Sequence, residues 1–343
     1  MLALQAPSTW LFQRGSRALR TMPRSMPRPM TSKRTPAWLT IGTIAPVLAL
    51  VLLLVVGGLT SPFFLTIANL QSIAVVASIL VVLTIGQTFV ISTGGIDLSI
   101  AAIVQLSGIV LAILLKYLAV SEPLALLLVI AVGALAGAVN GVLVNRLKVS
   151  DFVVTLGTFS VLTGLTLVIS NATPIAIVSP VLIRIATGNL FGVSWQIVIA
   201  LGVALVAHIL LFYTAFGTHV LALGGNRKAA EAVGLHTQRL RIAVYGIAGA
   251  LGGVAGILMV ARLGAAEPTA GSAYQLTSIA AAVLGGVSLF GGRSTIIGPL
   301  CGAFVLTGIV NLLTVTGVPV FYQPIAVGLV VLAAAYLGRL GTR

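Results

Sequence analysis

The sequence has 343 residues, of which 59% are hydrophobic and only 7% are charged. A soluble domain needs far more charge to cover its surface, so this composition excludes a soluble protein and predicts one whose surface is solvated by lipid. The formal net charge of +14 does not indicate nucleic acid as a partner, because the basic residues collect near the N-terminus and between apolar stretches.

The first 36 residues precede the apolar part of the chain, contain no acidic residue and are rich in Ser and Pro. Their basic residues are Arg14, Arg17, Arg20, Arg24, Arg28, Lys33 and Arg34. We expect residues 1–36 to be a disordered tail that the positive charge keeps in the cytoplasm. A transit peptide is an alternative, as is a translation start at Met22, Met26 or Met30.

Ten uncharged windows of roughly 20 residues, the length that crosses a hydrocarbon core, then follow along the chain: 37–59, 70–93, 98–115, 123–145, 152–172, 195–214, 242–261, 274–290, 294–316 and 319–338. We therefore expect an all-α, polytopic membrane protein of about ten transmembrane helices, with a transmembrane domain over 37–340. The connection 94–97 is the shortest, and a break within the membrane is an alternative to a loop there. Asp151 immediately precedes the fifth window, and we interpret it as a helix N-cap.

The orientation of the chain follows from its basic residues. With the N-terminus in the cytoplasm, only Lys116, Arg184 and Arg262 of the 19 Lys and Arg residues lie outside. Cytoplasmic segments carry the excess of Lys and Arg in membrane proteins. The distribution thus predicts that both termini are cytoplasmic.

Two segments of the first half of the sequence recur in its second half. Ser99-Ile-Ala-Ala-Ile-Val104 returns as Ser278-Ile-Ala-Ala-Ala-Val283, and the segment around Asn140 is echoed around Asn311. The members of each pair lie five windows apart, so they must cross the membrane in opposite directions. This is the pattern of an inverted repeat of five plus five helices, with halves of about 37–172 and 195–340 and a transport path between them.

Gly94 and Gly95 follow the second window, Asp97 immediately precedes the third, and Ser99 lies at its start. Glycines allow a sharp break at membrane depth. Asp97 could cap the third helix, or it could belong to a gate or contact a substrate, because a carboxylate inside a membrane is usually functional. The amides of Gln87, Asn140 and Asn311 would suit the hydroxyls of a polyol, or could join helices to one another.

The longest polar connection spans residues 216–241. Within it, residues 227–233 are good helix formers bounded by Gly225 and Gly234, which predicts a short helix. Such a helix could dock into a soluble partner, and an ordinary solvated connection is the alternative. The sequence contains no GxxxxGK[ST] motif and no HExxH motif, so we expect no ATP site and no catalytic metal in this chain.

Four segments together resemble the sugar permeases of bacterial ATP-binding-cassette (ABC) importers of the ribose, xylose, arabinose and galactose type, over about residues 40–338: Gly94-Gly-Ile-Asp-Leu-Ser99, Ala222-Leu-Gly-Gly-Asn226, Ala230-Glu-Ala-Val-Gly-Leu235, and Ser278-Ile-Ala-Ala-Ala-Val-Leu-Gly-Gly286 with Gly291-Gly-Arg293. That family is grouped with the branched-chain amino-acid permeases. The sequence departs from the family pattern at Gln275 and Thr277, where members often carry acidic residues, and at Ala101-Ala102, where Gly-Ser is usual.

The resemblance implies three partners in a bacterial inner membrane: a cytoplasmic ATPase that binds ATP and Mg²⁺, a periplasmic sugar-binding protein, and a second permease subunit that is identical or different. It also implies that the 216–241 segment docks into the ATPase, through Gly225, Asn226, Ala230, Glu231 and Gly234. We place the translocation path or gate at Gln87, Gly94, Gly95, Asp97, Ser99, Asn140, Gln275 and Asn311.

The functional hypothesis is import of a neutral monosaccharide by alternating access. A charged substrate would need countering charges that the apolar windows lack. Alternatives are a permease for another small solute, such as a branched-chain amino acid or a signalling sugar, and an ion-coupled secondary transporter in which Asp97 is central.

Overall fold

The computed structural model describes the backbone of residues 41–340 and the side chains of residues 44–333. The predicted tail over residues 1–36 lies outside the described residues.

Thirteen α-helices occur in the described part of the chain: α1 (Ile41–Thr60), α2 (Ile67–Ser92), α3 (Ile100–Lys116), α4 (Glu122–Leu147), α5 (Asp151–Ser170), α6 (Pro180–Thr187), α7 (Trp195–Phe212), α8 (Ala215–Gly225), α9 (Arg227–Ala232), α10 (Thr237–Leu263), α11 (Tyr274–Leu284), α12 (Ile297–Val315) and α13 (Gln323–Leu340). Short 3₁₀ helices cover Ala270–Ala273 and Val320–Tyr322. Strand β1 (Ile175–Ala176) pairs antiparallel with β4 (Ala265–Ala266), and β2 (Asn189–Leu190) pairs antiparallel with β3 (Val193–Ser194).

Six of the described helices, namely α2, α4, α5, α7, α10 and α12, are long and apolar enough to cross a membrane. Shorter apolar helices cover Ile44–Thr60, Ile100–Lys116 and Val320–Ala333. The prediction of an all-α, multi-pass membrane protein is therefore confirmed, and each of the ten windows contains one helix.

The eighth window differs from the expectation. Its helix α11 has only 11 residues, about 16 Å of rise against the roughly 30 Å of a hydrocarbon core. Gly286 has a φ of 83°, a left-handed conformation that a helix cannot continue. Residues 285–290, the last third of the 274–290 window, are therefore irregular.

The 216–241 segment is mostly helical, although its polar composition predicted a loop. Thr214 accepts a hydrogen bond from the backbone N–H of Gly217 and so caps α8, which extends to Gly225. Asn226 then caps α9, and α10 begins at Thr237. The predicted short helix is confirmed over Arg227–Ala232. Helix α8, which is apolar, was not predicted, because the residues around it are polar.

The packing of α4 against α10 depends on glycines. Gly133, Gly137 and Gly141 recur every fourth residue and so lie on one face of α4. A Cβ atom at Gly137 would overlap the backbone oxygen of Tyr245, and a Cβ atom at Gly133 would overlap that of Gly249. Small residues let membrane helices approach this closely, which replaces the hydrophobic driving force that lipid does not provide.

Helix α2 is central and α5 is peripheral. The most apolar window of α2 is 83% buried, and helices α7, α10, α11 and α12 surround it. The corresponding window of α5 is 17% buried although it is similarly apolar. The exposed face of α5 is therefore suited to lipid or to another membrane-embedded chain.

Candidate functional site

The Gly94–Asp97 break (residues 94–97) joins α2 to α3. The backbone N–H of Gly94 donates to the oxygen of Ile91 at 2.8 Å, and that of Gly95 donates to the oxygen of Val90 at 3.2 Å. With Gly94 at a φ of 78°, this is a Schellman motif, which ends a helix sharply.

Four of the predicted path residues meet at this break, from α2, the break itself, the start of α3 and α4. The Gln87 side chain donates to the backbone oxygen of Asp97 at 2.5 Å. Asp97 Oδ1 accepts from the backbone N–H of Ser99 at 2.8 Å and from its hydroxyl at 2.6 Å. Asn140 Nδ2 donates to the Ser99 hydroxyl at 2.5 Å. All four side chains are fully buried.

This network holds the break in one geometry while leaving acceptors free. Asp97 binds a free amide just ahead of α3, in agreement with the capping interpretation, although it lies two residues before the N-cap residue Ser99. Within the described residues, Asp97 Oδ2, Gln87 Oε1 and Asn140 Oδ1 are buried and accept no hydrogen bond. A buried acceptor without a hydrogen-bond partner destabilises the folded protein, so hydrogen bonds from the hydroxyl groups of a ligand would stabilise this network.

Asn311 and Gln275 lie away from this network. Asn311 and Asn69 exchange two side-chain hydrogen bonds, each of 2.9 Å, which join α12 to the first turn of α2. Asn69 precedes Gln87 by about 27 Å of helix. Gln275 is half-buried in the first turn of α11.

The 216–241 segment touches the break through glycines. A Cβ atom at Gly224 would lie closer than 3.0 Å to the backbone oxygen of Ser92. The backbone N–H of Gly292 donates to that same oxygen at 3.0 Å. A Cβ atom at Gly291 would lie 2.7 Å from the nitrogen of Gly94 and 2.9 Å from the Cα of Gly224. Three glycine pairs, 94–95, 224–225 and 291–292, therefore converge on the end of α2.

Helix α9 presents a well-defined surface. The Asn226 side chain accepts from the backbone N–H of Ala229 at 3.1 Å. Glu231 accepts from the Arg227 guanidinium and the Thr237 hydroxyl, both at 2.9 Å, and the bond from Arg227 lowers the pKa of Glu231. Ala230 is buried, whereas the rest of the helix is exposed. The next glycine, Gly234, has a φ of 85° and ends the turn.

The interpretation of Asp151 as an N-cap is wrong. Ser150 is the N-cap residue, and Asp151 is the first residue of α5. Its carboxylate instead accepts two hydrogen bonds from Arg241 Nη2, at 2.6 and 2.5 Å, and one from the Tyr245 hydroxyl at 2.9 Å. Arg241 lies 90 residues away, so no local pattern could have indicated this ion pair.

The sequence interpretation also missed Gln105, which is buried on α3. Its side chain donates to the Ser272 hydroxyl at 2.8 Å and accepts from the Thr163 hydroxyl at 3.2 Å. These bonds join α3 to α5 and to the 3₁₀ helix before α11. A single amide inside an apolar window was the available signal.

The chain is similar to known proteins over most of its length. Residues 69–335 match the family model described as branched-chain amino acid transport system / permease component. The ribose import permease protein of Escherichia coli (strain K12) is 38% identical over 291 residues, which are 84% of this chain and 90% of the relative. The D-allose transport system permease protein of the same strain is 36% identical over 292 residues, which are 84% and 89% of the two chains.

The L-arabinose ABC transporter permease protein of Azospirillum brasilense is 34% identical over 301 residues, which are 87% of both chains. No solved structure is significantly similar to the chain. The matched segment contains the break, the converging glycines and the whole 216–241 segment. The chain therefore belongs to the family of permease components of the branched-chain amino acid transport type, as a multi-pass membrane protein.

Proposed function

We propose that the chain is the membrane-spanning subunit of a bacterial inner-membrane ABC importer that carries a neutral monosaccharide into the cytoplasm by alternating access. Relatives that match over more than four fifths of the chain are named for ribose, allose and arabinose. The observation that carries the mechanism is the direct contact between Gly224, in the 216–241 segment, and the end of α2 at the break.

The proposed architecture is a 37–340 permease domain of ten spans with both termini in the cytoplasm, arranged as an inverted repeat with halves of about 37–172 and 195–340. Helices in nine of the ten windows support the span count, and in the eighth window the short α11 covers only part of the hydrocarbon core. The excess of Lys and Arg in alternate connections supports the orientation. In that orientation the break, α9 and Gly291–Gly292 all lie at the cytoplasmic side.

Coupling to ATP hydrolysis is proposed to occur at α9. A partner ATPase, which binds ATP and Mg²⁺, docks against the exposed residues Gly225, Asn226, Glu231 and Gly234, and the buried Ala230 holds α9 against the rest of the chain. Because Gly224 and Gly291 leave no space between α8 and the end of α2, displacement of α9 reaches the break as a rigid-body movement. A periplasmic sugar-binding protein delivers the substrate, and a second permease subunit, identical or different, completes the channel.

The cytoplasmic gate is proposed to be the network of Gln87, Asp97, Ser99 and Asn140 with Gly94 and Gly95. Its free acceptor atoms suit the hydroxyl donors of a sugar. Gln275 is the proposed path residue at α11. Asn311 is bonded to Asn69, so its part in the path is to hold the helices that line it.

The test is sugar-stimulated ATP hydrolysis in liposomes that contain the chain, its ATPase and its binding protein, screened with pentoses and hexoses. We expect stimulation by one sugar and its loss in Glu231→Lys, which reverses a charge on α9. The matched variant Glu231→Gln keeps the size of the side chain and should lose less. Uptake that a proton gradient drives without the ATPase would refute the importer and favour an ion-coupled transporter.

A further inference from the structure

The ion pair between Arg241 and Asp151 lies where the 216–241 segment ends. Arg241 is in the second turn of α10, and Asp151 opens α5. Both side chains are largely shielded, with exposures of 12% and 16%. Both carboxylate oxygens lie within 2.6 Å of Arg241 Nη2. Little water competes for a pair so shielded, and the geometry of its hydrogen bonds fixes the two helix ends relative to each other.

Tyr245 adds a third hydrogen bond between the same two helices. It lies one helical turn after Arg241 and is fully buried. Its hydroxyl donates to Asp151 Oδ2 at 2.9 Å. The carboxylate of Asp151 therefore has donors from two successive turns of α10.

Asp151 also touches the Gly94–Asp97 break directly. A Cβ atom at Gly95 would lie 2.6 Å from Asp151 Oδ2 and 3.0 Å from the Tyr245 hydroxyl. One turn further along α5, the Thr155 hydroxyl accepts from the backbone N–H of Leu98 at 3.1 Å and lies 3.2 Å from the backbone oxygen of Ile96. The first two turns of α5 thus hold the break on both sides of Asp97.

The surrounding charges favour this arrangement. The pair borders a cytoplasmic-side pocket of about 510 Å³, whose charged lining residues are Lys148, Arg227, Arg241 and Asp151. Asp151 is the one carboxylate among three cations of that lining. Because Arg227 is paired with Glu231, removing the charge of Asp151 would leave Lys148 and Arg241 without a carboxylate in that lining.

From these contacts we propose that Asp151, Arg241 and Tyr245 form a latch of positioning residues, which transmits movement of the 216–241 segment to the Gly94–Asp97 break. The inference rests on the proposed function and adds a route that α9 does not provide. The glycine contact at Gly224 pushes on the end of α2, whereas the latch pulls the break together with α5 and α10. Without the latch, the ATPase still docks and hydrolyses ATP, but fewer sugar molecules cross for each ATP.

The experiment uses the complete complex in liposomes and measures two quantities, sugar transported per ATP hydrolysed and thermal unfolding of the complex. The variants are Asp151→Asn, Arg241→Ala, their double variant, and the charge exchange Asp151→Arg with Arg241→Asp. Tyr245→Phe removes only the hydrogen bond from Tyr245 to Asp151. Arg239→Ala, at an exposed arginine two residues before Arg241, is the matched control.

We expect each single variant to lower the transport-to-hydrolysis ratio roughly tenfold, which is typical of a broken coupling between sites. The double variant should be no worse than either single one, and the charge exchange should recover part of the ratio. Tyr245→Phe should show a smaller loss, and Arg239→Ala none.

Two results would overturn the latch while leaving the importer intact: an unchanged ratio in the single variants, or a charge exchange that restores thermal stability but not the ratio. The second result would mean that the pair only holds the fold together. A wild-type complex without any sugar-stimulated hydrolysis would instead overturn the proposed function, and the latch with it.

Discussion

The close contact between α8 and the end of α2 makes Gly224→Ala the sharpest perturbation of the proposed coupling. The new methyl group would lie closer than 3.0 Å to the backbone oxygen of Ser92 and 2.5 Å from the backbone nitrogen of Gly292. Both neighbours are backbone atoms, so a side-chain rotation cannot relieve the overlap, and α8 must move away from the break. Overpacking of this kind costs about 1–3 kcal/mol.

The expected loss of function follows from that cost. About 1.4 kcal/mol corresponds to a factor of ten, so we expect the sugar transported per ATP to fall roughly tenfold in Gly224→Ala. The control is Gly202→Ala in α7, where a Cβ atom meets nothing within 4 Å. Both changes gain the same roughly 0.5–1 kcal/mol of helix propensity, so their difference reports the packing alone.

The assay is ATP-driven uptake of radiolabelled sugar into liposomes, with hydrolysis measured in parallel and the amount of folded complex checked by size-exclusion chromatography. If Gly224→Ala transports as well as Gly202→Ala, then α8 does not press on the end of α2. The argument that displacement of α9 reaches the break through this contact would then be refuted.

Three further predictions concern stability and pH. Asn311→Ala should cost about 0.6–1.7 kcal/mol in unfolding, Asn69→Ala should cost more because its amide also donates to the backbone oxygen of Phe64 at 2.8 Å, and the double variant should cost little more than Asn69→Ala alone; additive losses would contradict the pairing. Gly137→Ala should destabilise by about 1–3 kcal/mol through overlap with the Tyr245 backbone oxygen, whereas Gly164→Ala on α5, which meets nothing within 4 Å, should not; equal unfolding temperatures would argue against close α4–α10 packing. The pKa of Glu231 is lowered by Arg227 and Thr237, so the stabilisation they provide is present above the ordinary carboxyl pKa and is lost only as pH falls through the lowered value. Titration of Glu231 should therefore leave sugar-stimulated hydrolysis unchanged across the neutral pH range. A pH midpoint in that range that disappears in Glu231→Gln would show that the pKa of Glu231 is raised and not lowered.

The membrane class and the placement of most helices could be predicted from the sequence, because both depend on local properties. An apolar stretch long enough to cross a hydrocarbon core indicates a transmembrane helix wherever it lies in the fold. The prediction of α9 also depended on local properties, since its good helix formers lie between Gly225 and Gly234 and its N-cap is Asn226. The association of Gln87, Asp97 and Ser99 was also foreseeable, because they lie within 13 positions of one another around a glycine break.

Prediction from local properties failed where packing against another part of the fold determined the backbone conformation. The surroundings of α8 are polar, yet the helix forms because its apolar residues Val220 and Leu223 are buried. The predicted eighth span stops after α11, because Gly286 adopts a left-handed conformation that composition does not reveal.

The sequence by itself determined that this protein crosses a membrane many times, where most of its helices lie and which short segments carry polar groups. Only the tertiary structure decided which distant residues meet. Asp151 binds Arg241 across 90 positions, and Asn69 binds Asn311 across 242. The glycine pairs at 94, 224 and 291 converge only in space. Such partners are chosen by how closely the helices can approach one another, a property of packed surfaces that no single stretch of sequence contains.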